Sequence, residues 1–183
     1  MTATDQPLAS TCPVVVMGVS GCGKTTVGQL LAEALGVDYV EGDALHPPAN
    51  VARMAAGIPL TDADRHGWLQ AVAQRLSQAA GQGLGVVVSC SALKRAYRDQ
   101  LREAAPGLRL LFLHGDAGLI GDRLAARQGH YMPVSLLQSQ LDTLEPPAPD
   151  ERPIALPITQ PPEALVAEAV RHLRADVAAL NSP

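Results

Sequence analysis

Near its N-terminus the chain carries glycine, hydroxyl and lysine residues with the spacing of a phosphate-binding loop. Gly18 is followed, after four residues, by Gly23, Lys24 and Thr25, which fits the Walker A pattern. In such a loop the backbone N–H groups surround phosphate oxygens, the lysine reaches the β- and γ-phosphates, and the hydroxyl binds magnesium. The alternative is a glycine-rich turn with a solvated lysine. The predicted nucleotide-binding residues of the loop are Gly18, Ser20, Gly21, Cys22, Gly23, Lys24, Thr25 and Thr26.

Two acidic residues follow the second predicted strand. Glu41 and Asp43 lie on either side of Gly42. Because ligands collect at the carboxyl ends of parallel strands, either acid can orient magnesium, and Asp43 can accept a proton from an attacking hydroxyl. The alternative is a turn aspartate that caps the next helix. The spacing alone leaves both interpretations open.

A cation follows two acids at the start of a predicted helix. Asp62 and Asp64 precede Arg65 and the helix that carries Trp68. The two acids suit a helix N-terminus, where they cap free N–H groups and favour the helix dipole. A cation is disfavoured there, so Arg65 is the better candidate for binding an anion.

Further basic residues occur in pairs spaced by four. Ser91 and Lys94 follow the third predicted strand, and Lys94 and Arg98 are predicted to share one helical face, either facing a ligand or in solvent. Arg123 and Arg127 come at the end of another predicted helix. Two guanidinium groups on one face can clamp a phosphate chain, although basic residues also favour a helix C-terminus.

Strand and helix patterns alternate along the chain. A buried strand before the phosphate loop is followed by a helix with one apolar face, and the apolar strands that alternate with helices predict a parallel sheet covered on both sides. The weakest strand contains Pro157, which argues for an edge strand or a strand end. The predicted strands are 14–17, 37–40, 85–89, 109–113 and 154–158.

Composition indicates a single α/β domain. The 183 residues carry a formal net charge of −4, so no basic surface for nucleic acid is expected. Cys12, Cys22 and Cys90 lack metal-ligand spacing, which favours a reduced, cytoplasmic protein. No apolar run approaches the ~20 residues of a membrane span, so no membrane partner is expected. We predict a flexible N-terminal segment at 1–12 and one domain at 13–183.

Taken together, these residues resemble the gluconokinase family of P-loop small-molecule kinases. The resemblance extends from about residue 14 to residue 171 and does not depend on the phosphate loop alone. The stretches that carry it include Gly42-Asp-x-Leu-His-Pro47, Gly57-x-Pro-Leu60, Asp62-x-Asp-Arg65 with Trp68-Leu69, Cys90-Ser-Ala-Leu-Lys-Arg95, Arg127-x-Gly-His130 and Leu144-Glu145.

The resemblance implies a three-layer P-loop kinase fold with a mostly five-stranded parallel sheet and a helical lid around 123–145. It further implies transfer of the γ-phosphoryl group of ATP, with Mg²⁺, to the 6-hydroxyl of D-gluconate, and it suggests a homodimer. Glu41 departs from the aspartate expected there, and no acid follows the strand at 85–89 where a Walker B aspartate usually lies.

The resemblance also assigns roles to individual residues. Asp43 would hold and deprotonate the hydroxyl, with Lys24, Arg123 and Arg127 as the other catalytic groups. Magnesium would be held by Thr25, with Glu41 and Asp43 acting through water. The implied substrate contacts are Asp43, His46, Arg53, Arg65, Ser91, Lys94 and His130, and the implied adenine contacts are Gln160 and Pro161.

Two other functions compete with this prediction. One is a P-loop kinase of another small hydroxylated metabolite, such as shikimate, but Ser91-Ala92-Leu93 stands where a Gly-Gly-Gly would be expected. The other is a nucleotide-dependent switch, for which the chain lacks an Asn-Lys-x-Asp guanine motif.

Overall fold

The computed structural model describes residues 12–126 and 135–180, with side chains described as far as residue 176. The strands are β1 (Val14–Met17), β2 (Asp38–Glu41), β3 (Val86–Ser89), β4 (Arg109–His114) and β5 (Ile154–Pro157). The helices are α1 (Lys24–Leu35), α2 (Pro48–Ala55), α3 (Asp62–Gly81), α4 (Arg95–Ala104), α5 (Ala117–Ala126), α6 (Ser135–Thr143) and α7 (Pro162–Leu180). Short 3₁₀ helices occupy Gly42–Leu45 and Pro149–Glu151.

The five strands form one parallel sheet in the order β2-β3-β1-β4-β5. β1 lies at the centre, and all four of its residues are buried. The predicted parallel sheet is therefore confirmed, and β5, which ends at Pro157, is an edge strand as predicted.

Successive side chains of β1 point to opposite faces of the sheet and so divide the core in two. Val14 and Val16 pack with the apolar faces of α1 and α7. Val15 and Met17 pack with α3 and α4. Helices thus cover both faces, which confirms the three-layer α/β architecture. The predicted apolar face of α3 is confirmed, because Trp68, Leu69, Val72 and Leu76 are all buried.

The predicted basic face shared by Lys94 and Arg98 is wrong. α4 begins at Arg95, so Lys94 precedes the helix with an extended backbone. Arg98 is 1% exposed, and its Nε and Nη2 donate to the Glu151 carboxylate at 2.6 and 2.8 Å. A buried guanidinium requires such a partner because an unpaired charge is strongly disfavoured in the interior. The local spacing of basic residues could not reveal a partner 53 residues away.

No helix within residues 12–126 and 135–180 combines the length and the apolar character needed to cross a membrane.

Candidate active site

The phosphate loop connects the buried end of β1 to the first turn of α1. Gly23 caps the helix with a φ of 97°, a conformation that side chains disfavour, and α1 begins at Lys24. The free N–H groups of a helix N-terminus form a site for phosphate. Lys24 Nζ donates to the Val19 carbonyl at 3.1 Å. Cys22 is buried, and burial raises the pKa of its thiol, which is typical of a space-filling residue rather than a nucleophile.

A cavity of about 280 Å³ opens beside this loop. Residues 20–27 form one wall, and Asp43 and Arg123 reach it from other elements. Gln160 and Pro162, which follow β5, complete it together with Leu165, so Pro162 rather than the predicted Pro161 lines the cavity. The fold therefore brings the phosphate loop, one carboxylate and one guanidinium around a single space.

Glu41, the last residue of β2, accepts hydrogen bonds from three neighbouring hydroxyl groups. Thr25 Oγ1 and Tyr39 OH lie 2.7 and 2.8 Å from its Oε2, and Ser89 Oγ lies 2.5 Å from its Oε1. Burial raises the pKa of Glu41, but the hydrogen bonds from Ser89, Thr25 and Tyr39 outweigh this effect and lower it. Glu41 is therefore an ionised carboxylate directly beside the threonine of the phosphate loop.

Tyr39 and Ser89 were not predicted as site residues. The register of the sheet pairs Glu41 with Ser89, which is the last residue of β3. That is the strand end where the sequence lacks the expected Walker B acid. The sequence has no acid at the end of β3 but has an unexpected glutamate, Glu41, at the end of β2. These two departures were the signal that could have linked Ser89 to Glu41.

Asp43 lies two residues after Glu41, in the 3₁₀ helix that follows β2. Its side chain faces the cavity beside the phosphate loop. Among residues 12–126 and 135–180, no hydrogen bond or ion pair engages its carboxylate. The predicted alternative, a helix-capping aspartate, is not observed, since the cap of the 3₁₀ helix is Glu41 and the cap of α2 is Pro47. Asp43 is thus free to accept a hydrogen bond from a ligand.

His46 is held as a neutral imidazole by its surroundings. Its ring stacks on Trp68 with 4.2 Å between centroids, and Asn50 Nδ2 lies 3.4 Å from its Nδ1. Asn50 also donates to the Asp64 carbonyl at 2.7 Å, which fixes its amide. Burial, with the nearby charge of Arg65, lowers the pKa of His46 to about 4. Because Nδ1 accepts from Asn50, the ring proton lies on Nε2.

The lowered pKa of His46 predicts that the stability of the fold depends on pH. The pKa of His46 is about 4 in the folded protein and near the ordinary histidine value of about 6.5 in the unfolded chain, so below pH 6.5 the unfolded chain binds the additional proton. We expect the wild type to lose stability as the pH falls from 6.5 towards 4, and His46→Gln to lose less. Thermal unfolding of both proteins between pH 4 and 8 measures this difference. Equal dependence of Tm on pH in the wild type and His46→Gln would contradict this prediction. The control is His172→Gln, a substitution of an exposed histidine on α7.

Arg65 is a buried cation that no described residue pairs with. It lies in the first turn of α3 and is 8% exposed, yet within the described part of the chain its guanidinium forms no hydrogen bond or ion pair. The neighbouring acids are engaged elsewhere. Asp64 forms a capping box with Thr61, as its predicted capping role requires. Asp62 instead accepts from Lys94 Nζ at 2.9 Å and from Tyr97 OH.

The remaining predicted residues that the structure describes have partners of their own. Arg53, on α2, faces Asp64 at 3.6 Å. Ser91 is buried, and its carbonyl accepts from Gly18 N–H at 3.4 Å. Arg123, on α5, donates from Nη2 to the Ile158 carbonyl at 2.8 Å. Arg127 and His130 lie outside the described residues.

A phosphate loop at the end of a central parallel strand, facing a carboxylate that no described residue engages and an arginine on the same cavity, is typical of a P-loop kinase that acts on a small molecule. Comparison with known proteins agrees with this class. The sequence profile of a family described as an AAA domain matches residues 14–147.

Similarity to characterised proteins is much more specific. A gluconokinase of Gluconobacter oxydans is 51% identical over 165 residues, covering 89% of this chain and 92% of its own. The thermoresistant gluconokinase of Escherichia coli is 40% identical, covering 87% of this chain and 92% of its own. The crystal structure of a gluconokinase from Sinorhizobium meliloti superimposes with a TM-score of 0.85 at 49% identity, covering 96% of this chain and 97% of that one. The chain belongs to the gluconokinase family.

Proposed function

We propose that this protein transfers the γ-phosphoryl group of ATP to the 6-hydroxyl of D-gluconate, producing 6-phospho-D-gluconate and ADP. The observation that carries the proposal is the single cavity in which the unpaired Asp43 carboxylate faces the phosphate loop. The names of the similar gluconokinases support the choice of acceptor.

The phosphates are proposed to bind the N–H groups of the loop and of the first turn of α1. Lys24 exchanges its present bond to the Val19 carbonyl for the β- and γ-phosphate oxygens. Arg123 lies on the same cavity and adds a second cation, with Gln160 beside it for the adenine. Positioning and charge stabilisation of this kind supply most of the rate enhancement in phosphoryl transfer.

The residues around Thr25 fit a magnesium ion. The Thr25 hydroxyl and the ionised Glu41 carboxylate, 2.7 Å apart, provide the hard oxygen atoms that Mg²⁺ prefers. Thr25 would hold the ion directly, and Glu41, with Asp43, would hold its water ligands. When bound, magnesium neutralises charge on the β- and γ-phosphates. The hydrogen bonds from Tyr39 and Ser89 keep the Glu41 carboxylate oriented towards Thr25.

Asp43 is proposed to accept the proton of the attacking hydroxyl. As the oxygen of the acceptor bonds to the γ-phosphorus and the bond to the ADP oxygen breaks, the hydroxyl proton passes to the carboxylate. A hydrogen bond from the hydroxyl to Asp43 also orients the oxygen for attack.

Arg65 is proposed to bind the carboxylate of the acceptor. Its buried guanidinium has no partner among the residues that the structure describes, and an Arg–carboxylate pair is short, charge-assisted and often bidentate. His46, with its proton on Nε2, donates to a substrate hydroxyl. Ser91, Lys94 and Arg53 are proposed as further contacts, and for Lys94 this requires release or sharing of its bond to Asp62.

Arg65→Met is expected to raise the KM for gluconate about 10- to 100-fold, because hydrogen bonds to charged groups contribute about 1.5–3 kcal/mol. The KM for ATP should change little. Steady-state kinetics with each substrate varied in turn measure the two values. Arg75→Met, an exposed arginine on the same helix, is the matched control. Equal effects on both KM values would argue against a carboxylate contact.

The proposed reaction is tested by measuring ADP release from ATP and Mg²⁺ with gluconate, other aldonic acids, shikimate, AMP or no acceptor. Strong turnover with gluconate alone supports the proposal. Preference for another acceptor would support a kinase but contradict gluconate as its substrate. Hydrolysis that is independent of any acceptor favours a nucleotide-dependent switch.

We further propose a cytoplasmic enzyme with one kinase domain, possessing a lid around 123–145, that acts as a homodimer. Cys22 and Cys90 are free thiols, which suits a reducing compartment. Size-exclusion chromatography with light scattering tests the oligomeric state.

A further inference from the structure

The tip of the phosphate loop is in contact with two helices of the predicted lid, α5 and α6. Against Gly21 lies Leu124 of α5, so close that a Cβ at residue 21 would be 2.6 Å from Leu124 Cγ. At the preceding residue, the Ser20 N–H donates to Gln140 Oε1 of α6 at 2.7 Å. Consecutive residues of the loop are therefore held by the two helices.

The bond between Ser20 and Gln140 is buried on both sides. Both residues are less than one-tenth exposed. A buried backbone N–H almost always has a partner, and here the acceptor comes from a side chain 120 residues away. In the structure without ligand, this bond satisfies the Ser20 N–H and fixes the backbone of the loop at this residue.

α6 is itself fixed against the loop by apolar packing. Leu137 belongs to the same buried cluster as Cys22 and Leu124. Its Cδ2 lies 3.8 Å from the position of a Cβ at Gly121 of α5. Gln140 lies one turn after Leu137 on α6, so this packing also fixes the position of the Gln140 side chain beside Ser20.

We propose that Gln140 is a positioning residue that holds the phosphate loop in its ligand-binding conformation. Without this acceptor, the Ser20 N–H would need to donate its hydrogen bond to water. Loop conformations that cannot surround phosphates would then be populated beside the binding conformation. The apparent dissociation constant for a ligand rises in inverse proportion to the fraction of protein that is competent to bind. The inference rests on the proposed binding of nucleotide phosphates to this loop.

The test compares Gln140→Met, which has a similar length but no acceptor oxygen, with Gln138→Met on the exposed side of α6. We expect Gln140→Met to raise the Kd for ADP and the KM for ATP about 5- to 50-fold, the range expected for one unpaired buried amide. The KM for gluconate should stay within about twofold of the wild type. The proposal would be overturned if Gln140→Met raised the KM for ATP and the KM for gluconate equally. It would also be overturned if Gln140→Met and Gln138→Met bound ADP with equal affinity.

A second measurement does not depend on nucleotide or on activity. Hydrogen exchange of the peptide that contains Ser20 should be faster in free Gln140→Met than in the wild type or Gln138→Met. Gln140→Glu, which keeps an acceptor oxygen, should retain slow exchange. Unchanged exchange in Gln140→Met would overturn the positioning role, whereas failure of the wild type to bind ADP would overturn the proposed nucleotide site instead.

Discussion

Asp43→Asn is expected to lower kcat about 10²- to 10⁴-fold, the usual contribution of a positioned general base. Asparagine keeps the shape of the side chain but cannot take up the hydroxyl proton. The substitution leaves the described hydrogen bonds of the side chains around it intact, because none involves the Asp43 carboxylate. Binding of ADP should therefore be close to that of the wild type.

Rapid-quench kinetics with saturating ATP and gluconate, together with ADP titration, measure these two quantities. Asp38→Asn, at the exposed start of β2, the strand that precedes Asp43, is the matched control and should retain full turnover. If Asp43→Asn kept a kcat within about threefold of the wild type, Asp43 would not be the base.

Glu151→Gln is expected to destabilise the fold by about 3–5 kcal/mol, because it leaves the buried Arg98 guanidinium without a counter-charge. For a chain of this size, that corresponds to a decrease in Tm of about 6–20 °C. The two side chains are each 1% exposed and share two hydrogen bonds, and Arg102 adds a third at 2.9 Å.

The control for this prediction is Asp150→Asn, one residue away. Asp150 is paired with Arg95 at 2.5 Å, but both side chains are largely exposed, and exposed ion pairs contribute only about 0–1 kcal/mol. Differential scanning calorimetry of both variants provides the comparison. Similar Tm values for Glu151→Gln and Asp150→Asn would show that burial of the Arg98 pair does not stabilise the fold.

The pH dependence of this pair has a definite sign. The hydrogen bond from Arg98 lowers the pKa of Glu151 to about 2, well below that of an unfolded glutamate. The stabilisation is therefore complete above the unfolded pKa of about 4.3 and is lost as the pH falls towards 2. Glu151→Gln should lack this component of acid unfolding.

Loss of this pair should also affect the acceptor site. Arg98 Nη1 donates to the carbonyls of Ala92 and Leu93 at 3.0 and 3.2 Å. Ala92 has a φ of 43°, which is strained for a residue with a side chain and persists only where its surroundings enforce it. The buried ion pair therefore supports the segment that carries Ser91 and Lys94.

The features that the sequence predicted correctly are those encoded locally. The phosphate loop was recognisable because its glycines, lysine and threonine occur within eight successive positions, Gly18 to Thr25. The five strands and the buried face of α3 followed from the period of apolar residues. Asp64 as a helix-capping acid was among the predictions for the same reason, since the two ends of a capping box are only three positions apart.

The tertiary structure decided which distant side chains meet. Ser89 reaches Glu41 across 48 residues, Glu151 reaches Arg98 across 53, and Gln140 reaches Ser20 across 120. Hydrogen bonds of this kind depend on strand order and helix packing, which bring residues together without any periodic pattern along the chain. The sequence by itself therefore determined the elements, the phosphate loop and the resemblance to the family. Only the folded chain determined how the Glu41 carboxylate, the Arg98 charge and the Ser20 amide are satisfied, because a buried polar group must find its partner in space.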